Sequence, residues 1–291
     1  RVDLAHQRRV DLAHQRRVDL AHQRRVDLAH RWLSYAVGVV MGRFRPGVQG
    51  ALGCGRFDAR TASGLRRLVV SDGIAELSGD GGDDVAELVM RVLRMTLGDR
   101  GTEEVVGYAT GKHRDLIVGL RRYLAGRFFR DHLRRYHGRP VYWLVQSCGR
   151  GYSAYLYYER LSVTALERLR GPQHVAGRLS EAIGRGDSSL AADLQALNEA
   201  IERILSASDE EGRTVGWQLE PDDGVLINAA PLSELLSPVW KEPAECWRRL
   251  SAGEYDWSFT AARYWPQRVR GKCGEAKSLD LAHSAARARA G

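Results

Sequence analysis

The sequence predicts a mainly α fold with a small antiparallel β component (α+β): a helical scaffold, an aromatic β-hairpin and a short helical coiled-coil arm. Three observations carry this reading. Apolar residues recur at helical spacing over residues 32–41 and again over 85–96. Two aromatic, apolar runs flank a glycine-containing turn within residues 140–158. Leu190, Leu194, Leu197, Ile201 and Ile204 advance by steps of four and three, the seam of a coiled coil.

The chain opens with the octapeptide RVDLAHQR, repeated without change through residue 24, and a fourth copy breaks off at Arg31-Trp32. Eight residues overshoot two helical turns by about 80°, so Val2, Val10, Val18 and Val26 wind around the axis and form no stripe. His6, His14, His22 and His30 are scattered in the same way, with no acids or thiols arranged beside them, so no metal array is expected. The first helix with a steady face is HRWLSYAVGVVMGRF, where Trp32, Leu33, Ala36, Val37, Val40 and Met41 line one side and Pro46-Gly47 ends it. Residues 46–84 are rich in Gly and Asp and read as loop. Asp83-Asp84 then caps a helix through Val85, Leu88, Val89, Val92, Leu93 and Thr96.

The hairpin follows as PVYWLVQ, the turn SCGRG, and YSAYLYY. Residues 160–207 read as helical, with 166–183 the antiparallel partner of the 190–204 seam. After Gly212 the chain reads as loop-rich, with Trp240, Trp247, Trp257 and Trp265 in its tail. The corresponding organisation is a tandem octapeptide extension (1–24), a helical basic domain (25–140), the hairpin (141–159), the helical hairpin arm (160–207) and a loop-rich, Trp-containing C-terminal region (208–291).

Hydrophobic residues make up 44% of the chain and charged residues 27%, enough apolar material to build a core and too much for wholesale disorder. The net charge of +8 favours an anionic partner. Residues 112–139 carry nine Lys/Arg against Asp115 and Asp131, which accounts for almost all of that excess. Within them, FFRDHLRRYH placed on a helix gathers Phe128, Phe129, His132, Leu133 and Tyr136 on one side. Arg127, Arg130 and Arg134 gather on the other. A helix with an apolar back and an arginine front can dock along a phosphate backbone or into a groove, although a solvated core helix shows the same pattern. The DNA-binding candidates are therefore Arg121, Arg122, Arg127, Arg130, Arg134 and Arg139, with Lys112 and Arg150 behind them.

Other chemistry is sparsely signalled. GALGCGR (residues 50–56) is similar to the glycine loop that holds S-adenosylmethionine, but RFRPGVQ before it is no buried strand and FDARTASG after it is a poor helix start. Among the eight prolines no two are adjacent, so the Asn-Pro-Pro-Tyr type of loop that holds a target amine is missing. Asp222-Asp223 beside Gly224 has the composition of a turn as well as of half a metal site. Cys54, Cys148, Cys246 and Cys273 have no CxxC pairing or zinc spacing and read as reduced thiols in a cytoplasmic protein. No apolar run approaches the roughly 18 residues that cross a bilayer, so no membrane partner is expected. The sequence opens without methionine and reads as a fragment.

Five blocks carry a resemblance to a known family: RRVDLAHRWLSYAVGVVMGRFRPG, RRYLAGRFFRDHLRRYHGRPVYWLVQS, GYSAYLYYERLSVTALERLR, LEPDDGVLINAAPL and LSAGEYDWSFTAARYWPQRVRGKC. In this order they resemble the C-terminal half of the adenine-specific DNA methyltransferases of BREX phage-defence systems (PglX-like), over roughly residues 25–283. The resemblance implies a two-part enzyme whose N-terminal half binds S-adenosyl-L-methionine and methylates adenine N6, and whose C-terminal half recognises DNA. Only the latter has a counterpart here, so no catalytic, cofactor-binding or metal-ligating residue carries over. The expected role is DNA recognition and scaffolding, with DNA and other BREX proteins as partners. The alternatives are an interaction module that docks those proteins through an aromatic face formed by the hairpin (Tyr142, Trp143, Tyr155, Tyr157, Tyr158) and the Trp-rich tail, and an inactive remnant. RVDLAHQR copies the phrase that opens the family's own helix, which marks it as a tandem duplication. Deleting residues 1–24 is expected to move the melting temperature by less than about 2 °C, equivalent to well under 1 kcal/mol; a large drop in calorimetry would show that the repeat packs.

Overall fold

The computed structural model describes residues 2–46, 59–77, 84–111, 113–254 and 258–275, with side chains described from residue 18 onward. The chain divides into two compact units. The first comprises Arg1–Ser71 and Gly79–Arg127, the second Asp72–Ser78 and Phe128–Gly291. The architecture is mainly helical with one three-stranded antiparallel sheet, as the sequence predicts.

The first unit contains α1 (Val2–Val40), α2 (Ala59–Arg66), α3 (Val85–Thr110) and α4 (Leu116–Tyr123). Side chains 18–25 of α1 are exposed, and Ala29 is the first buried one among the described side chains. From there Leu33, Ala36, Val37, Val40 and Met41 are buried as their spacing requires, and α1 packs on α3. His22 meets Tyr108 edge-on and Arg25 donates to its hydroxyl at 2.9 Å. The helix stops at Val40, short of Pro46-Gly47, because Gly42 takes a left-handed φ of 74°. The chain then turns back: Arg43 N and Phe44 N both donate to Gly38 O, and the Phe44 ring lies where a Cβ on Gly38 would be 2.3 Å away. Asp84 is the N-cap of α3 and accepts from Ala86 N and Glu87 N. α3 breaks at Gly98, whose φ of 72° is not helical.

The second unit is built on β1 (Ile74–Glu76), β2 (Tyr142–Gln146) and β3 (Ser153–Tyr157) in the order β1-β3-β2. Leu144 and Ala75 both stand opposite Tyr155. The free edge of β2 is covered: Gln146 N donates to Leu235 O and Ser237 N to Leu144 O. α5 (Phe129–Arg135) follows a π-helical turn over Leu124–Phe128. His132 of α5 is buried, and its Nε2 accepts from Val141 N and Tyr142 N, fastening the helix to the start of β2. Phe129 contacts Tyr155 and Trp240, and Trp143 lies against Trp240, so the hairpin aromatics form the core.

Three sequence expectations are corrected. Residues 46–84 are not all loop: α2 and β1 lie within them, and β1 escaped notice because three residues show no alternation and have their partner strand far along the chain. Nor are the described residues after Gly212 loop-rich, since they hold α9 (Gly224–Ala229), α10 (Glu242–Ser251), α11 (Phe259–Tyr264) and α12 (Pro266–Glu275). They follow α6 (Val163–Arg170), α7 (Val175–Gly184) and α8 (Ser188–Leu205). The last four helices close over a small core of Ile227, Leu250, Ala261, Val269 and the free thiols Cys246 and Cys273. Asp223 begins it, accepting from Ser258 Oγ and from Phe259 N and Thr260 N at the start of α11. The arm differs too. The seam on α8 is buried at Leu194, Leu197, Ile201 and Ile204, but its partner is two helices, α6 and α7, parted by a turn at Gly171-Pro172.

That turn delivers His174 to β1. Glu76, 6% exposed, accepts from Tyr152 OH at 2.8 Å and Arg178 Nε at 3.1 Å, and meets His174 Nδ1 at 2.8 Å. His174 Nε2 lies 3.0 Å from Asp72. Burial pulls the imidazolium towards neutrality, but hydrogen bonds to Asp72 and Glu76 outweigh it and hold its pKa at about 9. Burial likewise penalises both carboxylates, and the His174 hydrogen bonds overcome this to leave both pKa values lowered. Because the folded pKa of His174 is raised from an ordinary 6.5, its contribution to stability is complete below pH 6.5 and disappears as pH climbs to 9. Those of Asp72 and Glu76, ordinarily 3.8 and 4.5, are complete above these values and are lost as pH falls from them through the lowered folded values. Thermal melting should therefore be highest at about pH 5 to 6.5. H174Q should lower stability by about 2–3 kcal/mol at pH 6 and flatten the fall between pH 6.5 and 9. Parallel profiles for the two proteins would show that the ring does not carry this charge.

Candidate nucleic-acid interface

The arginines singled out in the sequence divide between the two units. In the first, α4 starts at its N-cap Asp115, which accepts from Ile117 N and Val118 N, and ends in Arg121 and Arg122. Arg121 is half-buried, with its Nε 3.3 Å from Asp84 and its Nη2 3.6 Å from Glu87, so it ties α4 to the capped end of α3. Arg122 is exposed, as is Arg127 in the π-helical turn. A π turn advances more slowly per residue than an α-helix, so the α-helical spacing counted from Arg127 to Arg134 does not run through it.

In the second unit Arg130 and Arg134 lie four apart on α5, both exposed, on the side away from buried Phe129 and His132. Leu133 and Tyr136 are half-buried, completing the apolar back that the sequence predicts. Arg134 pairs with Asp131, a surface contact that a competing anion can displace at little cost. Arg139, after the helix, is exposed. Lys112 lies outside the described residues, as do the glycine-rich stretch 50–56 and Trp257.

The hairpin turn holds Arg150, and the sequence gives little notice of what organises it. Asp193 of α8 projects its carboxylate into the turn and accepts from Gly149 N at 2.7 Å, Gly151 N at 3.1 Å and Ser147 Oγ. Burial works against this charge, but the three donors prevail and its pKa is lowered. Ser147 is in turn held by Tyr152, whose N–H donates to its Oγ. Asp193 thus takes up the two glycine N–H groups of the turn, while Arg150 N between them donates to Ser147 O at 2.9 Å. The glycine pair flanking Arg150 is the one legible trace of it. Arg150 and Cys148 are exposed at the tip, and Arg150 has a left-handed φ of 59°.

Among the described residues, no group of three or more His, Cys, Asp or Glu could hold a metal ion, and Asp223 is engaged by the start of α11. The aromatic docking face expected as an alternative is corrected by the structure. Tyr142, Trp143, Tyr155 and Tyr157 are buried, Tyr158 is half-buried, and Trp240 is packed among them. A hairpin that carries aromatic or aliphatic residues on both faces is covered on both, and this is what makes it a core. No helix of the described residues is long and apolar enough to cross a membrane.

No family model matches the sequence. The chain is similar to the adenine-specific methyltransferase BrxX of Escherichia coli O9:H4 (strain HS), with 25% identity over 241 residues. That alignment takes in 71% of this chain but only 20% of the relative, so the chain spans about a fifth of the length of the methyltransferase it resembles.

Proposed function

We propose that this chain is the DNA-contacting and scaffolding portion of an adenine-specific DNA methyltransferase of phage defence, and that methyl transfer itself needs residues it does not contain. The observation that carries the reading is the exposed arginine set of residues 122–139. Arg122, Arg127, Arg130, Arg134 and Arg139 all reach solvent, and they lie within residues 112–139, which hold nearly the whole positive excess. The similarity to BrxX supports the methyltransferase context along most of the chain. The lack of adjacent prolines supports a role without catalysis, since adenine N6 methylation uses an Asn-Pro-Pro-Tyr loop to hold the amine.

The physical role follows from what arginine heads do on a duplex. Each guanidinium that neutralises a phosphate releases condensed counterions, so affinity falls steeply with salt and little with sequence. Arg130 and Arg134 are the residues assigned first. They sit one turn apart on a helix whose back is fixed by Phe129 and by the His132 bonds to β2, which gives their heads a firm base. Arg122, Arg127 and Arg139 add charge, whereas Arg121 is engaged by Asp84 and Glu87 and serves the fold. S-adenosylmethionine belongs, in this reading, to the portion that transfers the methyl group.

Filter binding of the full chain to random duplex DNA across a salt series tests the proposal. The wild type should be retained near micromolar concentration at low salt. The double variant R130A/R134A should reduce the slope of log K against log salt by about two units, one per lost phosphate contact. An unchanged slope and affinity would reduce these arginines to solvated surface, and no salt-dependent retention of the wild type would end the DNA reading.

A further inference from the structure

We infer that the hairpin turn 147–151 is a base-reading finger, whose Arg150 recognises a guanine edge in the major groove of duplex DNA. The inference rests on the DNA reading above and adds to it a residue that discriminates sequence.

The turn is built with more rigidity than joining two strands requires. Ser147 N donates to Tyr152 O at 3.1 Å and Arg150 N to Ser147 O at 2.9 Å, which closes the loop from within. Asp193 closes it from outside through Gly149, Gly151 and Ser147. The two glycines permit this approach. A Cβ on Gly149 would stand 3.0 Å from the Asp193 carboxyl carbon, and one on Gly151 would stand 2.5 Å from Leu190 Cδ1. Between them sits a residue in the left-handed region, where glycine or asparagine is at ease and a long side chain is disfavoured. The backbone thus gives no reason for arginine at 150. Its side chain is exposed and makes no hydrogen bond or ion pair among the described residues.

Strain maintained under a clamped backbone, with an unengaged guanidinium at the tip, is an arrangement that serves a ligand. The flat fork of arginine matches guanine O6 and N7 in a bidentate pair, and it is the exposed turn, not the buried strands behind it, that would carry the fork to a base edge. A phosphate would accept a cation from many directions and would not require a fixed base for it. The carboxylate that clamps the turn, Asp193, directs its oxygens to three donors other than the Arg150 guanidinium, which is exposed.

The test is enrichment and sequencing of a randomised duplex library on the full chain, with wild type, R150K, R150G and R130A/R134A compared. The wild type should enrich a sequence with a fixed G·C pair. R150K keeps the charge but loses the fork, so it should relax that position, weakening the enriched duplex about tenfold while random duplex stays within about twofold. R150G should do the same and melt at the same temperature or higher, since it relieves the left-handed strain. If R150K enriches the same sequence as strongly, or the wild type enriches none, the finger is overturned and the phosphate-binding role of α5 stands. Equal weakening on random and enriched duplex would make Arg150 a phosphate contact and likewise overturn it. Failure of the wild type to retain any duplex would overturn both readings together.

Discussion

The second unit depends on satisfying one buried carboxylate. Glu76 ends a strand of three residues, too short to hold its own place in a sheet, and an unpaired charge at that depth would cost several kcal/mol. It is satisfied only when Tyr152 from the head of β3, His174 from the turn before α7 and Arg178 from α7 converge on it. His174 can converge only because the helix that would otherwise run from 166 to 183 is interrupted at Gly171-Pro172. The break in the arm and the third strand are thus two sides of one interaction. It also makes the unit non-local: residues 72–78 join a sheet whose other strands begin at Tyr142, so the chain must close a long loop before the charge finds its partners.

The sheet so assembled separates core from surface sharply. Its aromatic residues, which in sequence look like interface anchors, are consumed by packing against Phe128, Phe129 and Trp240. Outside that core stand exposed arginines on α5 and at the hairpin tip. Both sites are supported from behind by polar contacts at the ends of the same hairpin: His132 at the start of β2, and Asp193 at the turn. Loops positioned by a rigid scaffold are where recognition residues are usually placed, and both arginine sites fit that pattern.

How much of this is legible in the sequence follows from the range of the interactions. Periodicity finds the buried stripe of α1, the Asp84 cap of α3, both hairpin strands and the α8 seam, because each is decided by neighbours within a few turns or across one tight turn. The same counting places the arginines opposite Phe129 and His132. It fails for β1, whose meaning lies in partners 76 to 102 residues away, and for the six- to ten-residue helices after Gly212, which stand on tertiary packing more than on propensity. Helix α1 ends earlier than Pro46-Gly47 suggests because Gly42 and the Phe44 ring settle it first. Asp193 could not be read at all: on α8 it is one more polar residue beside a coiled-coil seam, and nothing local reveals that a hairpin turn closes on its oxygens.

The distribution of charge gives this organisation its consequence. Among the described residues Glu76, Asp84, Asp209, Glu220 and Asp223 are buried, while no Lys or Arg is. The net charge of +8 fixes the field felt at a distance, but a ligand in contact meets the heads that remain accessible, and those are disproportionately basic. The acids cap helices, close turns and hold the third strand, and several arginines are bound to them: Arg121 to Asp84, Arg178 to Glu76, Arg213 to Asp209 and Arg263 to Glu220. Counting arginines therefore overstates the binding surface, and subtracting acids understates it. The quantity that matters is the set left over once each buried carboxylate has taken its partner, and by that measure Arg122, Arg130, Arg134, Arg139 and Arg150 stand ahead of the more numerous arginines that hold the fold together.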